Sequence, residues 1–382
     1  MSQINVRNLS NENDDGSPEI VGVSTFSATS FFVPPKGSTA ERPSDCEPGS
    51  IRFNTDTANL EYFRGKTLGW SQFELVTPNL GGGTGSNTGL GIRGLFAGGF
   101  ISPTGTARTN IIDFITISTL GNAQDFGDRT HVSDTCAGAA SKTRGVIAGG
   151  YAGSETNIIE FVTIASQGDA LDFGDLPSNR RNRDGCGDTV RGLFGGGYPQ
   201  SAQIDYITFE SLGNEIDFGD LTQTRYNSGA LSSSTRAVFA GGNASPTSPV
   251  SDVIDFVTIR TTGNATDFGD LIGTMGTGGF SGTSNSTRGL IGIADSNSIE
   301  FITIATTGNA QDFGDATYNL GSHAAAGSPT RAVFAGGGAS PAPLTNSMDF
   351  VEILTTGNGL DFGDLTDGRQ SLAGFSNGHG GL

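Results

Sequence analysis

The tetrapeptide Asp-Phe-Gly-Asp occurs six times, starting at Asp125, Asp172, Asp217, Asp267, Asp312 and Asp361, at intervals of 47, 45, 50, 45 and 49 residues. A period of this length constrains the fold more than any other feature of the chain. Each unit must be one supersecondary element that buries its faces against its neighbours. The repetition also argues against any one copy as an active site, because each copy has five siblings.

The fourth copy shows the whole unit. Residues 225–231 form a short small-residue segment, and residues 236–242 form an apolar strand ending in Gly241-Gly242. Residues 253–259 are a β-branched strand, apolar on both faces, as a strand sandwiched between neighbours must be. Gly263-Asn264 supplies a turn in which positive φ is accessible. Residues 265–271 carry the motif as a fourth, edge strand. Four short strands in about 47 residues, with no helical period, predict an all-β chain of six four-stranded blades. Glycine pairs at Gly98-Gly99, Gly149-Gly150, Gly196-Gly197, Gly241-Gly242 and Gly336-Gly337 mark a place where backbones approach closely. The fifth copy has Gly292-Ile293-Ala294 there, which predicts a locally altered blade.

The ends of the array suggest how it closes. The first unit begins at Arg93 without a small-residue strand of its own, and residues 369–376 supply a surplus one. The expectation is a six-bladed β-propeller over residues 92–382, closed by the C-terminal strand so that no sheet edge is left open. Ahead of it, residues 1–48 read as an extended N-terminal arm, polar apart from apolar islands at 20–23 and 31–33. Residues 49–80 read as a small β-hairpin module: Ile51/Phe53 and Leu60/Glu61/Tyr62 flank a turn, and Trp70, Phe73 and Leu75 continue as a third strand. Residues 81–91, six of them glycine, read as a flexible linker.

Composition removes several classes of function. A net charge of −18 argues against binding nucleic acid through its phosphates and against docking on an anionic membrane. No apolar run approaches the roughly 20 residues that span a bilayer. Residues 1–16 are polar and acidic, without the look of a secretory signal. Cys46, Cys136 and Cys186 have no metal-ligand spacing and suit a reducing cytoplasm.

The repeated carboxylates Asp125, Asp128, Asp172, Asp175, Asp217, Asp220, Asp267, Asp270, Asp312, Asp315, Asp361 and Asp364 have two readings. They coordinate calcium or act as acid/base pairs, or they hold turns and pair with Arg93, Arg144, Arg191, Arg236, Arg288 and Arg331, which recur once per unit. Six-fold repetition and the lack of a calcium-loop pattern favour the structural reading. Asp113, Glu160, Asp205, Asp255, Glu300 and Asp349, before the strand aromatic, are read as solvated or arginine-paired. His131, His323 and His379 lie in different units and share no motif. No nucleophile elbow, phosphate loop or Cys-x-x-Cys is present, so no catalytic residue, cofactor or metal is expected. Recognition falls to the loops that vary between copies, where Phe100, Tyr151 and Tyr198 directly follow a glycine pair. Those rings either meet a glycan or protein surface, or cap their own blades.

With its small strand, its apolar strand ending in Gly-Gly, its loop and its second apolar strand, the unit resembles kelch and galactose-oxidase-type propellers over residues 92–382. Two departures stand out. Phe replaces the tryptophan expected late in each blade. The strand-opening arginine occurs at Arg180, Arg225 and Arg369, but Ser133, Met275 and Leu320 stand elsewhere. Copper ligands are lacking. Repeat text such as Arg-Ala-Val-Phe-Ala-Gly-Gly and Ile-Asp-Phe-Val-Thr-Ile is similar to proteins of large tailed phages, notably cyanophages. Residues 49–63 resemble a hairpin module of phage fibre and virion proteins.

That resemblance implies a non-enzymatic virion structural protein assembled in the host cytoplasm. Residues 1–80 would attach to other virion proteins, with 1–48 as the attachment arm. The propeller would stand outward as a tail or neck fibre or an adhesin for a host surface glycan or protein, and homotrimers are implied. The rivals are a tail-borne glycan depolymerase, which needs two carboxylates in a cleft the other blades do not share, a capsid decoration protein, and an intracellular kelch adaptor.

Overall fold

The computed structural model describes residues 34–57, 59–72, 92–101, 107–244, 250–273, 278–338 and 344–382. The chain divides into two compact units, Met1–Thr77 and Pro78–Leu382. The expected linker, the apolar islands at 20–23 and 31–33, and Phe73, Leu75 and Met275 lie outside the described residues.

In the first unit Ile51–Asn54 pairs antiparallel with Asn59–Phe63, which pairs with Trp70–Gln72. A further strand, Lys36–Gly37, adds in parallel to Ile51–Asn54 and had no sequence signal. This small sheet is organised around a charge. Glu61 is fully buried and receives Arg42 Nη2 at 2.7 Å, Asn54 Nδ2 at 3.1 Å and Arg52 Nε at 3.4 Å.

Six four-stranded antiparallel sheets make up the second unit. The first combines Ala373–Ser376, Arg93–Ala97, Ile111–Thr116 and Gln124–Asp128, and the second Ala137–Ala140, Arg144–Ala148, Ile158–Thr163 and Leu171–Asp175. The third runs Asp184–Gly187, Arg191–Gly195, Ser201–Thr208 and Ile216–Arg225, and the fourth Gly229–Ser232, Arg236–Ala240, Val253–Thr258 and Thr266–Asp270. The fifth has Ser281–Ser284, Arg288–Gly292, Ser298–Thr303 and Gln311–Asp315, and the sixth Ala324–Gly327, Arg331–Ala335, Ser347–Glu352 and Leu360–Asp364.

Burial grades along each sheet. First strands are built of small residues, because the innermost strands of successive sheets crowd together. Second strands are almost wholly buried, with Leu95, Phe96, Val238 and Phe239 inaccessible to solvent. Over the motif itself, fourth strands bury little but the phenylalanine. That ring meets the third-strand aromatic edge-on, with centroids 5.9–6.1 Å apart in all six sheets, as in Phe161–Phe173. Such a pair is worth about 0.5–1.5 kcal/mol beyond its burial.

The motif strand ends its ladder. On its outer edge it meets the turn of the following repeat, Gly-Asn in five copies and Gly168-Asp169 in the second, rather than a fifth strand. Gly213 N–H donates to Phe173 O at 2.9 Å, Glu215 N–H to Asp175 O at 3.1 Å, and Asp175 N–H to Asn214 Oδ1 at 3.0 Å. The same contacts recur from each sheet to the next and from the sixth back to the first, where Gly121 N–H reaches Phe362 O and Asp364 N–H reaches Asn122 Oδ1.

These findings correct the expected architecture. The sequence predicted a closed, kelch-like six-bladed propeller. The strands instead make seven separate four-stranded sheets, counting the one in the first unit, and none closes by hydrogen bonds or curls strongly. The physical reason is the turn at each outer edge. It satisfies the edge and stops the ladder after four strands, so neighbouring sheets are linked by turns and packing rather than by a continuous ladder. The C-terminal strand Ala373–Ser376 pairs with Arg93–Ala97 and completes the first sheet alone. In the fifth sheet four strands persist, and the departure is local: Asp295 takes a left-handed φ of +54°.

Candidate recognition groove

The structure does not gather the motif carboxylates into a site. The leading aspartates Asp125, Asp172, Asp217, Asp267, Asp312 and Asp361 are exposed, and their partners Asp128, Asp175, Asp220, Asp270, Asp315 and Asp364 are exposed or half-buried. None of the twelve takes part in an ion pair among the described residues.

The recurring arginines do not pair with them either. Each lies over the third-strand ring of its own sheet, with Arg93 over Phe114, Arg144 over Phe161, Arg191 over Tyr206, Arg236 over Phe256, Arg288 over Phe301 and Arg331 over Phe350, at 4.4–4.8 Å. Five point Nη1 at a backbone carbonyl of the next sheet (Ile164, Phe209, Ile259, Ile304 and Ile353), and Arg331 reaches Ile117 and Ser118. A flat guanidinium can stack by its face and donate by its edge, so it joins two sheets without needing a carboxylate.

The acids before the strand aromatic are buried rather than solvated. Asp113 meets Arg369 at 2.6 Å, Asp205 meets Arg183 at 2.9 Å, Asp255 meets Arg225 at 2.9 Å, and Glu160 meets Arg129. Thr130, Thr222, Thr317 and Thr366, each two residues beyond a motif copy, give their hydroxyls to Glu160, Asp255, Asp349 and Asp113. Sequence reading found Arg225 and Arg369 but missed Arg129, Arg183 and the threonines. The signal was Asp-Phe-Gly-Asp-x-Thr, present in four copies. Arg180 turns instead to Gln203 at 2.8 Å. Glu300 has no arginine among the described residues and takes the N–H groups of Ile272 and Gly273.

One feature breaks the six-fold pattern. Phe100, Tyr151 and Tyr198 stand in a single row with two interleaved arginines. Arg108 lies 5.0 Å from the Phe100 ring and 4.6 Å from Tyr151, while Arg181 lies 4.5 Å from Tyr151 and 4.8 Å from Tyr198. Tyr226 ends the row edge-on to Tyr198 at 5.8 Å. The row crosses the first four sheets and walls a groove of about 460 Å³. Its rings are held by backbone bridges, Phe100 to Arg108 and Gln370, Tyr151 to Asp134 and Glu155, and Tyr198 to Arg181. Both cations are balanced locally: Arg108 Nε meets Asp134 at 2.5 Å and Arg181 Nε faces Glu155 at 3.5 Å. The corresponding positions of the fourth, fifth and sixth sheets, Asn243, Asp295 and Gly338, carry no ring.

A polar cavity of about 80 Å³ adjoins, and Thr135 and Asn182 line both spaces. Thr135, Asn182, Asn227, Ser322 and Ser371 line it in the left-handed region, with φ of 53–59°. Each costs backbone strain of order 1–3 kcal/mol, a kind that collects at binding sites. Main-chain bonds hold them: Asn182 N–H to Thr135 O, Asn227 N–H to Asn182 O, Thr135 N–H to Ser371 O, and Ser371 N–H to Ser322 O, at 2.7–2.9 Å. Burial pushes the Asp184 carboxyl up to about 8, although Gly185 and Ala230 N–H groups favour its ionised form. Burial pushes His323 down to about 4, so its ring is neutral.

His131, His323 and His379 stay apart, and the described residues contain no group of three or more metal-ligating side chains. Cys46, Cys136 and Cys186 are free thiols. No helix among the described residues is long and apolar enough to cross a membrane.

Comparison with protein-family models and with curated proteins finds no match to this chain. The implied membership among kelch propellers and tailed-phage virion proteins is therefore corrected, and the tail-fibre or adhesin role built on it goes too. No family evidence carries that identity, and the hydrogen-bonded sheet closure that the outward-displayed propeller required is absent.

Proposed function

We propose that this chain is a non-catalytic recognition protein that binds a neutral glycan in the groove walled by Phe100, Arg108, Tyr151, Arg181, Tyr198 and Tyr226. The observation that carries the reading is the charge-balanced row of rings and guanidinium groups, confined to one side of an otherwise repeating scaffold. Planar rings accept the apolar face of a sugar, and fixed guanidinium, phenol and carboxylate edges suit its hydroxyls. A polyanion is disfavoured because Asp134 and Glu155 cancel both local cations and the whole chain carries −18. Catalysis is disfavoured because each groove carboxylate is engaged by an arginine.

Titration calorimetry against a panel of neutral hexasaccharides tests the reading. Binding to at least one member is expected, with Arg181→Ala, which unstacks two rings, weakening it about tenfold or more. Absence of binding to every member, or affinity indifferent to Arg181, would remove this function.

A further inference from the structure

We propose that the outer edge of the sixth sheet docks a peptide segment of another protein, one in which a bulky apolar residue is flanked by lysine or arginine. This surface shares no residue with the groove, and the proposal does not rest on the glycan reading.

The repeats supply the comparison that carries it. The residue directly before the motif is Gln124, Thr266 and Gln311 in the first, fourth and fifth sheets, whereas Leu360 in the sixth is 62% exposed. Seven positions before the motif the second and fifth sheets have Ala165 and Ala305, and the sixth has Leu354, 63% exposed. Nine positions before it the other five sheets have threonine, as at Thr303, and the sixth has Glu352. Leu171 and Ile216 share the first of these features, but only the sixth sheet combines all three. The fifth sheet, with Gln311, Ala305 and Thr303, pairs its strands in the same register. The fold therefore asks for none of the three side chains, and apolar surface kept in water without a folding role marks a contact surface.

The departures gather at one place. A pocket of about 270 Å³ is lined by Phe350, Val351, Glu352, Thr355 and Leu360, with the Gly357-Asn358 turn beside them. Leu354 lies in the turn that Thr355 N–H closes on Glu352 O at 3.1 Å. Leu120, 59% exposed, extends the apolar surface from the first sheet, since the N–H of Gly121 after it donates to Phe362 O, two residues along the strand from Leu360.

Charge selects the occupant. Asp361, beside Leu360, is exposed and Asp364 half-buried, and neither has an ion pair among the described residues. Glu352 meets Arg331 at 2.8 Å with half of its side chain still exposed. An apolar pocket with an acidic rim complements an apolar anchor between cationic neighbours. A second copy of this chain would bring the same aspartates against this rim. Nucleic acid and an anionic membrane would meet the same repulsion.

The test selects random peptides on the full chain and subtracts those that also bind a Leu354→Ala/Leu360→Gln double variant. Both replacements already stand at the equivalent positions of the fifth sheet, so the variant should melt like wild type. The retained peptides should carry a large apolar residue beside lysine or arginine. The double variant should bind them about tenfold or more weakly, and added salt should weaken wild-type binding. Leu171→Gln, the same change on the second sheet, should leave the affinity unchanged, which separates docking here from a general attraction to an acidic chain. Retention of no peptide, retained peptides without cationic residues, or an equal loss from Leu171→Gln overturns the proposal. So does a wild type that dimerises in sedimentation while the double variant stays monomeric, because the occupant is then a second copy.

Discussion

At the scale of single residues, the glycine and phenylalanine of the repeated motif hold the structure, and the two aspartates flank them. Gly174 has a φ of +153°, and a Cβ there would lie 2.4 Å from Gly213 O. The other five copies make the same approach to the next turn. Gly174→Ala must therefore push a turn off its strand, and we expect a loss of about 2 kcal/mol or more in urea unfolding. Asp172→Ala, at an exposed carboxylate without an ion pair, should stay within about 0.5 kcal/mol of wild type. An inverted ranking would return the motif's importance to its charges. The carboxylates have a different use: they line outer edge strands beside exposed Leu171, Ile216 and Leu360, where charge discourages pairing with another molecule's edge.

At the scale of the element, the joint between a buried third-strand acid and an incoming arginine decides stability. Arg225 and Asp255 are both inaccessible to solvent, so Arg225→Ala strands a buried carboxylate and should cost about 3–5 kcal/mol. Converting both partners to apolar residues should recover much of that loss, as a double-mutant cycle would show. This joint also marks how far sequence reading reached. The strand content of a unit was legible because Val253–Thr258 and Arg236–Ala240 are apolar runs bounded by glycine. The end of the ladder was not, because it depends on where the turn of one repeat meets the strand of another, as Asn214 meets Asp175. Position after a glycine pair located Phe100, Tyr151 and Tyr198. Arg108, Arg181 and Tyr226 come from other segments, and only folding shows that they fill the gaps. The innermost strands add a pH signature. Between its ordinary value of 3.8 and about 8, folded Asp184 holds a proton that the unfolded chain releases, so its contribution to stability declines as pH rises through that window. His323 works in the opposite sense, and its contribution declines as pH falls from 6.5 to about 4. Asp184→Asn should flatten the decline on the alkaline side in urea midpoints measured from pH 4 to 9. A decline of unchanged steepness would show that Asp184 titrates as an ordinary carboxylate.

At the scale of the whole molecule, the second unit depends on a strand separated from its partner by most of the chain. Ala373–Ser376 covers Arg93–Ala97, and Phe375 is packed in one core with Leu95, Ile112, Ile147 and Val162, which belong to two different sheets. Gly145 leaves room for that ring, since a Cβ there would lie 2.1 Å from it. Beyond the strand, residues 377–382 cross the innermost strands. His379 Nε2 lies 2.8 Å from Ala140 O, and Gly381 is packed so tightly on Gly187 O that a Cβ would come within 1.8 Å. These two segments should fail differently. Phe375→Ala removes a buried ring from a shared core and should cost about 3–5 kcal/mol. Deleting residues 373–382 should do more, because the buried second strand of the first sheet then becomes an open edge, and the expected result is aggregation rather than a lower melting temperature alone. Deleting only 377–382 leaves every sheet with four strands, and the protein should remain soluble with a modestly lower melting temperature. Adding a peptide of residues 373–382 to the larger truncation should restore solubility, since it carries the missing strand that pairs with Arg93–Ala97. A 373–382 deletion that stays soluble and melts like wild type would show that the first sheet does not need its C-terminal strand.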